Sequence, residues 1–190
     1  MIRSYEYLVK IRNVKPQNIT LLGISSGGGL CVRLMQQIAE LNLKKEMMPS
    51  GAVLISPYVD YTDAKGSFKD YTVHDLFVNE AVFEIGIPYI SQQGEGFAEK
   101  ESPSQRSMKG LPPLCLVVSE HECCYDMNIE LCNKARKAGV EVDLGIWKFM
   151  CHVWIMLPAF LPEARGAVEF VLDWINKRQD RTSSRIDCIA

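Results

Sequence analysis

Apolar residues along this chain change period from segment to segment, and the changes lay out alternating strands and helices. Ile19-Thr20-Leu21-Leu22 is a short apolar run bounded by polar residues and glycine, which predicts a buried strand over 19–24. From Leu30 onward the apolar positions return at helical spacing, which predicts a helix over 26–43. The same reading gives further strands over 51–56, 114–119 and 140–147, and helices over 2–11, 126–138 and 161–177. Between the second and third strands lie an irregular helical stretch, 71–93, and a polar loop, 94–109. Asn18 before the first strand and Gly139 after a helix are punctuation. Strands alternating with helices predict an α/β fold, a predominantly parallel sheet with helices on both faces. Residues 1–178 read as one domain, with 71–109 as an insertion in it, and 179–190 as a polar, frayed tail.

Composition narrows the class. The 190 residues are 47% hydrophobic and 23% charged, the balance of an ordinary globular domain. A net charge of −2 supplies no basic surface, so neither nucleic acid nor an anionic membrane is an expected partner. There is no signal-peptide pattern and no apolar run of bilayer length. Seven cysteines, an odd count without regular spacing, suit a reducing compartment, so the expected location is cytoplasmic.

The chemistry concentrates in Gly23-Ile24-Ser25-Ser26-Gly27-Gly28-Gly29, set between a strand and a helix. Gly-x-Ser-x-Gly in that context is a nucleophile elbow, in which a strained turn lifts a serine hydroxyl clear of the backbone. Side chains two residues before and two after the serine are expected to collide with the neighbouring strand and helix. Ser25 has glycine at both positions, whereas Ser26 would have Ile24 two before it. The bland alternative is a glycine-rich turn with Ser25 or Ser26 capping the helix. A P-loop would need Gly-Lys-Ser/Thr where Gly29-Leu30-Cys31 stands, and a dinucleotide loop would need glycine at Ser25.

A serine hydrolase on such a fold takes its partners in the order serine, acid, histidine. Of the three histidines, His74, His121 and His152, the last follows the fourth strand by a short loop, where the base is expected. Its alternative is an ordinary packed or surface loop histidine. After the third strand, Glu120, Glu122 and Asp126 are all candidate acids. His121, Cys123, Cys124, Cys151 and His152 could in principle hold zinc, but no Cys-x-x-Cys pair supports it, and small packed thiols are the simpler reading. Met47, Met48, Trp147, Met150 and Met156 read as core; Val153 and Trp154, beside the candidate base, are kept as substrate-binding candidates.

The chain is similar to the C-terminal portion of the hormone-sensitive-lipase-like esterases. That family's Gly-Asp-Ser-Ala-Gly-Gly elbow resembles residues 23–28, and its Ser-Pro-Trp-x-Asp resembles Ser56-Pro57-Tyr58-Val59-Asp60. Its Ser-Pro and Gly-Leu-Pro-Pro resemble Ser102-Pro103 and Gly110-Leu111-Pro112-Pro113. Its Asp-Pro-Leu-x-Asp aligns with Glu122-Cys123-Cys124-Tyr125-Asp126, and its Gly-Met-x-His-x-Phe with Phe149-Met150-Cys151-His152-Val153-Trp154. The resemblance implies an α/β-hydrolase fold whose N-terminal strands are missing here, and hydrolysis of a small-molecule carboxylic ester without metal or cofactor. It implies Ser25 as nucleophile, His152 as base, Glu122 as acid ahead of Asp126 and then Glu120, and the Ser26 backbone N–H as an oxyanion donor. Ile24 and Glu122 stand where the family commonly has aspartate, and no His-Gly-Gly-Gly oxyanion motif occurs in the chain. The expectation is a weak catalyst whose first strand is an unpaired edge, open to self-association. The rival reading is a truncated or pseudoenzyme remnant that binds without turnover.

Overall fold

The four predicted strands pair in chain order. The computed structural model describes residues 1–41, 45–62, 66–71, 75–78 and 92–186. Strands β1 (Thr20–Ile24), β2 (Gly51–Ile55), β3 (Leu114–Ser119) and β4 (Val142–Trp147) form one sheet in the order β1-β2-β3-β4, every pair parallel. Every residue of β2 and β3 is buried, as inner strands covered on both faces should be. The outer edge of β1 has no strand partner among the described residues, and Leu22 is 56% exposed.

Six α-helices are described: α1 (Ile2–Glu6, continuing as a π-helical turn over Tyr7–Ile11), α2 (Ser26–Glu40), α3 (Ser67–Asp70), α4 (Phe97–Glu101), α5 (Tyr125–Lys137) and α6 (Pro162–Ile186). Side chains alternate across the sheet. Ala52, Leu54, Leu114 and Leu116 pack on one face with Val32 and Met35 of α2 and Leu131 and Ala135 of α5. Val53, Ile55, Cys115 and Val117 pack on the other with Ala164, Ala167, Val171 and Trp174 of α6. None of the described helices is long and apolar enough to cross a membrane.

Several boundaries differ from the sequence reading, each for a physical reason. β4 begins at Val142 rather than 140, because the Val140 N–H is bonded to the Ala135 carbonyl and the Gly139 N–H to Arg136. That is a Schellman closure of α5, with Gly139 left-handed at φ 81° as its stop. The stretch read as polar loop, 94–109, contains α4 and a 3₁₀ turn at Pro103–Gln105. Tertiary bonds hold it to α2: Gln36 Nε2 donates to the Pro103 carbonyl, and Arg33 and Arg106 both pair with Glu40 and Glu101. α6 runs to Ile186, beyond the end expected at 177 and into the expected tail. Most of the stretch read as irregular helix, 71–93, lies outside the described residues, as does His74.

Leu116, fully buried at the centre of β3, sets a stability test. Leu116→Ala should cost about 2–5 kcal/mol in denaturant unfolding. Leu172→Ala, on the exposed side of α6 with Leu172 at 52% exposure, should stay within about 0.5 kcal/mol.

Candidate active site

β1 turns into α2 at a single residue, Ser25, with φ 52° and ψ −122°. Residues with a side chain rarely adopt this backbone, so the surroundings must enforce it. The Ser25 N–H donates to the Ile55 carbonyl of β2 at 2.9 Å, and the Ser25 carbonyl accepts from Gly28 and Tyr58 N–H, each at 2.9 Å. Close backbone approach does the rest. A Cβ on Gly23 would overlap the Gly27 carbonyl, one on Gly29 would overlap the Tyr58 carbonyl, and one on Gly28 would lie 2.5 Å from Pro57 Cβ. Gly27 is different: a Cβ there meets nothing within 4 Å. The steric expectation therefore holds at Gly23 and fails at Gly27, the other glycine that singled out Ser25.

Ser25 Oγ is 2.8 Å from His152 Nε2. On the other side of the ring, Nδ1 is 3.3 Å from Glu122 Oε2, an ion-pair distance without hydrogen-bond alignment. Both side chains are buried, Glu122 at 0% and His152 at 2% exposure. Glu122 Oε1 accepts from the Ser119 N–H at 3.3 Å, which fixes the carboxylate against the end of β3. Burial pushes the Glu122 carboxyl above its ordinary range, opposed by the neighbouring His152 ring and Ser56 hydroxyl. For His152, burial alone would depress the pKa, but the Cys123 thiol and the Glu122 carboxylate outweigh it and raise it. The surroundings thus stabilise an imidazolium, the form a base reaches on taking a proton.

A further carboxylate holds the loop that carries His152. Asp75, 8% exposed, accepts the His152 backbone N–H at 2.7 Å through Oδ2, while its Oδ1 accepts Phe77 and Val78 N–H. No motif or periodicity marks this aspartate in the sequence.

A family model described as the α/β hydrolase fold matches residues 1–156. The chain belongs to that family. It is 28% identical over 165 residues to an esterase of Acinetobacter venetianus, covering 86% of this chain and 54% of that one. It is 29% identical over 168 residues to an acetyl-hydrolase of Streptomyces hygroscopicus, covering 88% and 55%. The crystal structure of an esterase from the bacterial hormone-sensitive lipase family superposes with a TM-score of 0.82 at 32% identity, covering 93% of this chain and 58% of that one. The chain thus spans about half the length of the curated relatives it matches.

Elsewhere in this α/β hydrolase the other candidates lie away from the His152 ring. Asp126 is engaged with α3: its Oδ2 accepts the Ser67 N–H at 2.8 Å while Ser67 Oγ accepts the Asp126 N–H at 2.9 Å. Glu120 lies 3.6 Å from His121 and is 30% exposed. Trp154, expected beside substrate, is fully buried in the α6-side core with its ring 5.7 Å from Trp147. Val153 is left-handed at φ 54°, and its N–H donates to Ser56 Oγ at 3.3 Å. Ser26 is exposed and opens α2, where a first-turn N–H has no acceptor inside the helix. Of the five residues considered for zinc, Cys123, Cys124 and His152 come together; His121 packs instead between Tyr71 and Phe149.

The elbow separates two glycines that the sequence treats alike. Gly23→Ala should lose about 1–3 kcal/mol in urea unfolding through overpacking. Gly27→Ala, inside a helix and in open space, should be neutral or gain up to about 1 kcal/mol.

Proposed function

We propose that this chain carries the catalytic machinery of a carboxylic-ester hydrolase built on Ser25, His152 and Glu122. The observation that carries the reading is the 2.8 Å contact between Ser25 Oγ and His152 Nε2, made across 127 positions of sequence. The esterase and acetyl-hydrolase relatives support an ester as substrate class.

In this reading Ser25 Oγ attacks the ester carbonyl while His152 Nε2 takes the hydroxyl proton. The oxyanion forms beside the N-terminus of α2, where the Ser26 N–H donates to it and the helix dipole favours its charge. Collapse of the tetrahedral intermediate expels the alkoxide, which leaves as alcohol with the proton held by His152. Water then repeats the sequence on the acyl-enzyme and frees the acid. Glu122 holds the imidazole in the tautomer with hydrogen on Nδ1 and offsets its positive charge. Asp75 positions the ring through the His152 backbone. Asp126 takes no part, because its carboxylate is spent on Ser67.

Hydrolysis of a short-chain p-nitrophenyl ester by purified variants tests these roles. Ser25→Ala should lower kcat by about 10³-fold or more, whereas Ser26→Ala, which leaves the backbone N–H in place, should retain activity. Glu122→Gln should fall strongly and Asp126→Asn by no more than a few-fold. The opposite pattern at the two acids would overturn the assignment.

Asp75→Ala should lower kcat by about 10- to 10²-fold with KM little changed, since misplacing a base costs the chemical step rather than binding. Asp75→Asn, which keeps an acceptor oxygen, should recover part of the loss. Equal effects of both substitutions would show that the carboxylate does not act through the hydrogen bond to His152.

A further inference from the structure

Two thiols and an imidazole converge beside Ser25. Cys123 Sγ and Cys124 Sγ lie 3.8 Å apart, and both sulfurs lie within 4.8 Å of a His152 ring nitrogen and of each other. All three side chains are buried. A tetrahedral zinc centre with Zn–S bonds of about 2.3 Å sets its sulfurs about 3.8 Å apart, so the two thiols already stand at the spacing such a cation demands. Two sulfurs and one imidazole nitrogen are three donors of a zinc site or of its softer congener cadmium.

We propose that Cys123, Cys124 and His152 form a binding site for a thiophilic divalent cation, and that the bound cation switches the active site off. His152 Nε2 faces Ser25, which leaves Nδ1 to face the cation. On binding, each thiol releases its proton to solvent as its sulfur takes up the metal bond. The single proton of the neutral imidazole must then sit on Nε2. In that tautomer Nε2 donates to Ser25 Oγ and cannot accept its proton, so the serine loses its base. The binding half of this proposal stands on the donor geometry alone; the switching half rests on His152 being the base.

Cadmium titration of the whole chain, followed by thiolate-to-metal ultraviolet absorption and by bound metal per chain, tests the binding. One equivalent should bind with a thiolate band. Cys123→Ser and Cys124→Ser, made separately, should each weaken binding tenfold or more, while Cys151→Ser, outside the cluster, should leave it unchanged. In parallel, ester hydrolysis should fall in step with zinc occupancy and return on chelation, and Cys124→Ser should need at least tenfold more zinc. No stoichiometric band, or a band untouched by both cluster variants, would overturn the site. A normal band with undiminished hydrolysis would overturn the switch. If no ester is hydrolysed at all, the proposed function and the switch fall together, and the absorption titration decides the site by itself.

Discussion

The backbone at Ser25 is the constraint on which the architecture turns. A residue held in so sparsely populated a region costs on the order of 1–3 kcal/mol. The strand order supplies what holds it: β2 beside β1 brings the Ile55 carbonyl to the Ser25 N–H, and the chain leaving β2 returns the Tyr58 N–H to the Ser25 carbonyl. β3 beside β2 delivers Glu122 from its C-terminal end, and β4 beside β3 delivers His152 from the loop that follows. Parallel strands put all these ends on one rim of the sheet, where α/β folds place their ligands. The order Ser25, Glu122, His152 along the chain is thus the order of strands across the sheet.

Strain gathers at the same rim. Ser25, Ser56, Phe149 and Val153 all have positive φ without being glycine. Ser56 links two of these turns, since its hydroxyl accepts the Val153 N–H. Asp75 adds a bond from outside the sheet to the His152 backbone. His152 is therefore held by its main chain as well as by its ring. A buried carboxyl and a buried imidazole each face a desolvation cost; the Cys123 thiol and then Glu122 outweigh it at His152, whereas burial still prevails at Glu122.

The strands, the main helices and the elbow were legible because their signals are local: apolar period, glycine punctuation, and a Gly-x-Ser-x-Gly at a strand-to-helix junction. Ser25 was reached by an argument half right in its physics, since Gly23 is sterically required and Gly27 is not. Strand ends alone left Glu120, Glu122 and Asp126 open and the family resemblance put Glu122 first; the structure adds that Asp126 is bonded to Ser67 and that Glu120 lies beside His121. Asp75 carried no signal, being a lone aspartate in a stretch without periodicity. The burial of Trp154 in the core was not legible, because adjacency to His152 in sequence says nothing of which way a side chain turns after a left-handed Val153. The convergence of Cys123, Cys124 and His152 was hidden for a related reason. Adjacent cysteines match no metal-ligand spacing, and the histidine joins them only through the pairing of β3 with β4.

The central claim is that His152 activates Ser25. Labelling the chain with a fluorophosphonate and locating the adduct by peptide mass spectrometry tests it most directly, because the probe needs an activated serine and no leaving alcohol. One adduct is predicted, on the peptide containing Ser25, absent in Ser25→Ala and formed at least tenfold more slowly in His152→Ala. An unlabelled Ser25, or labelling at Ser25 with an unchanged rate in His152→Ala, would contradict the account.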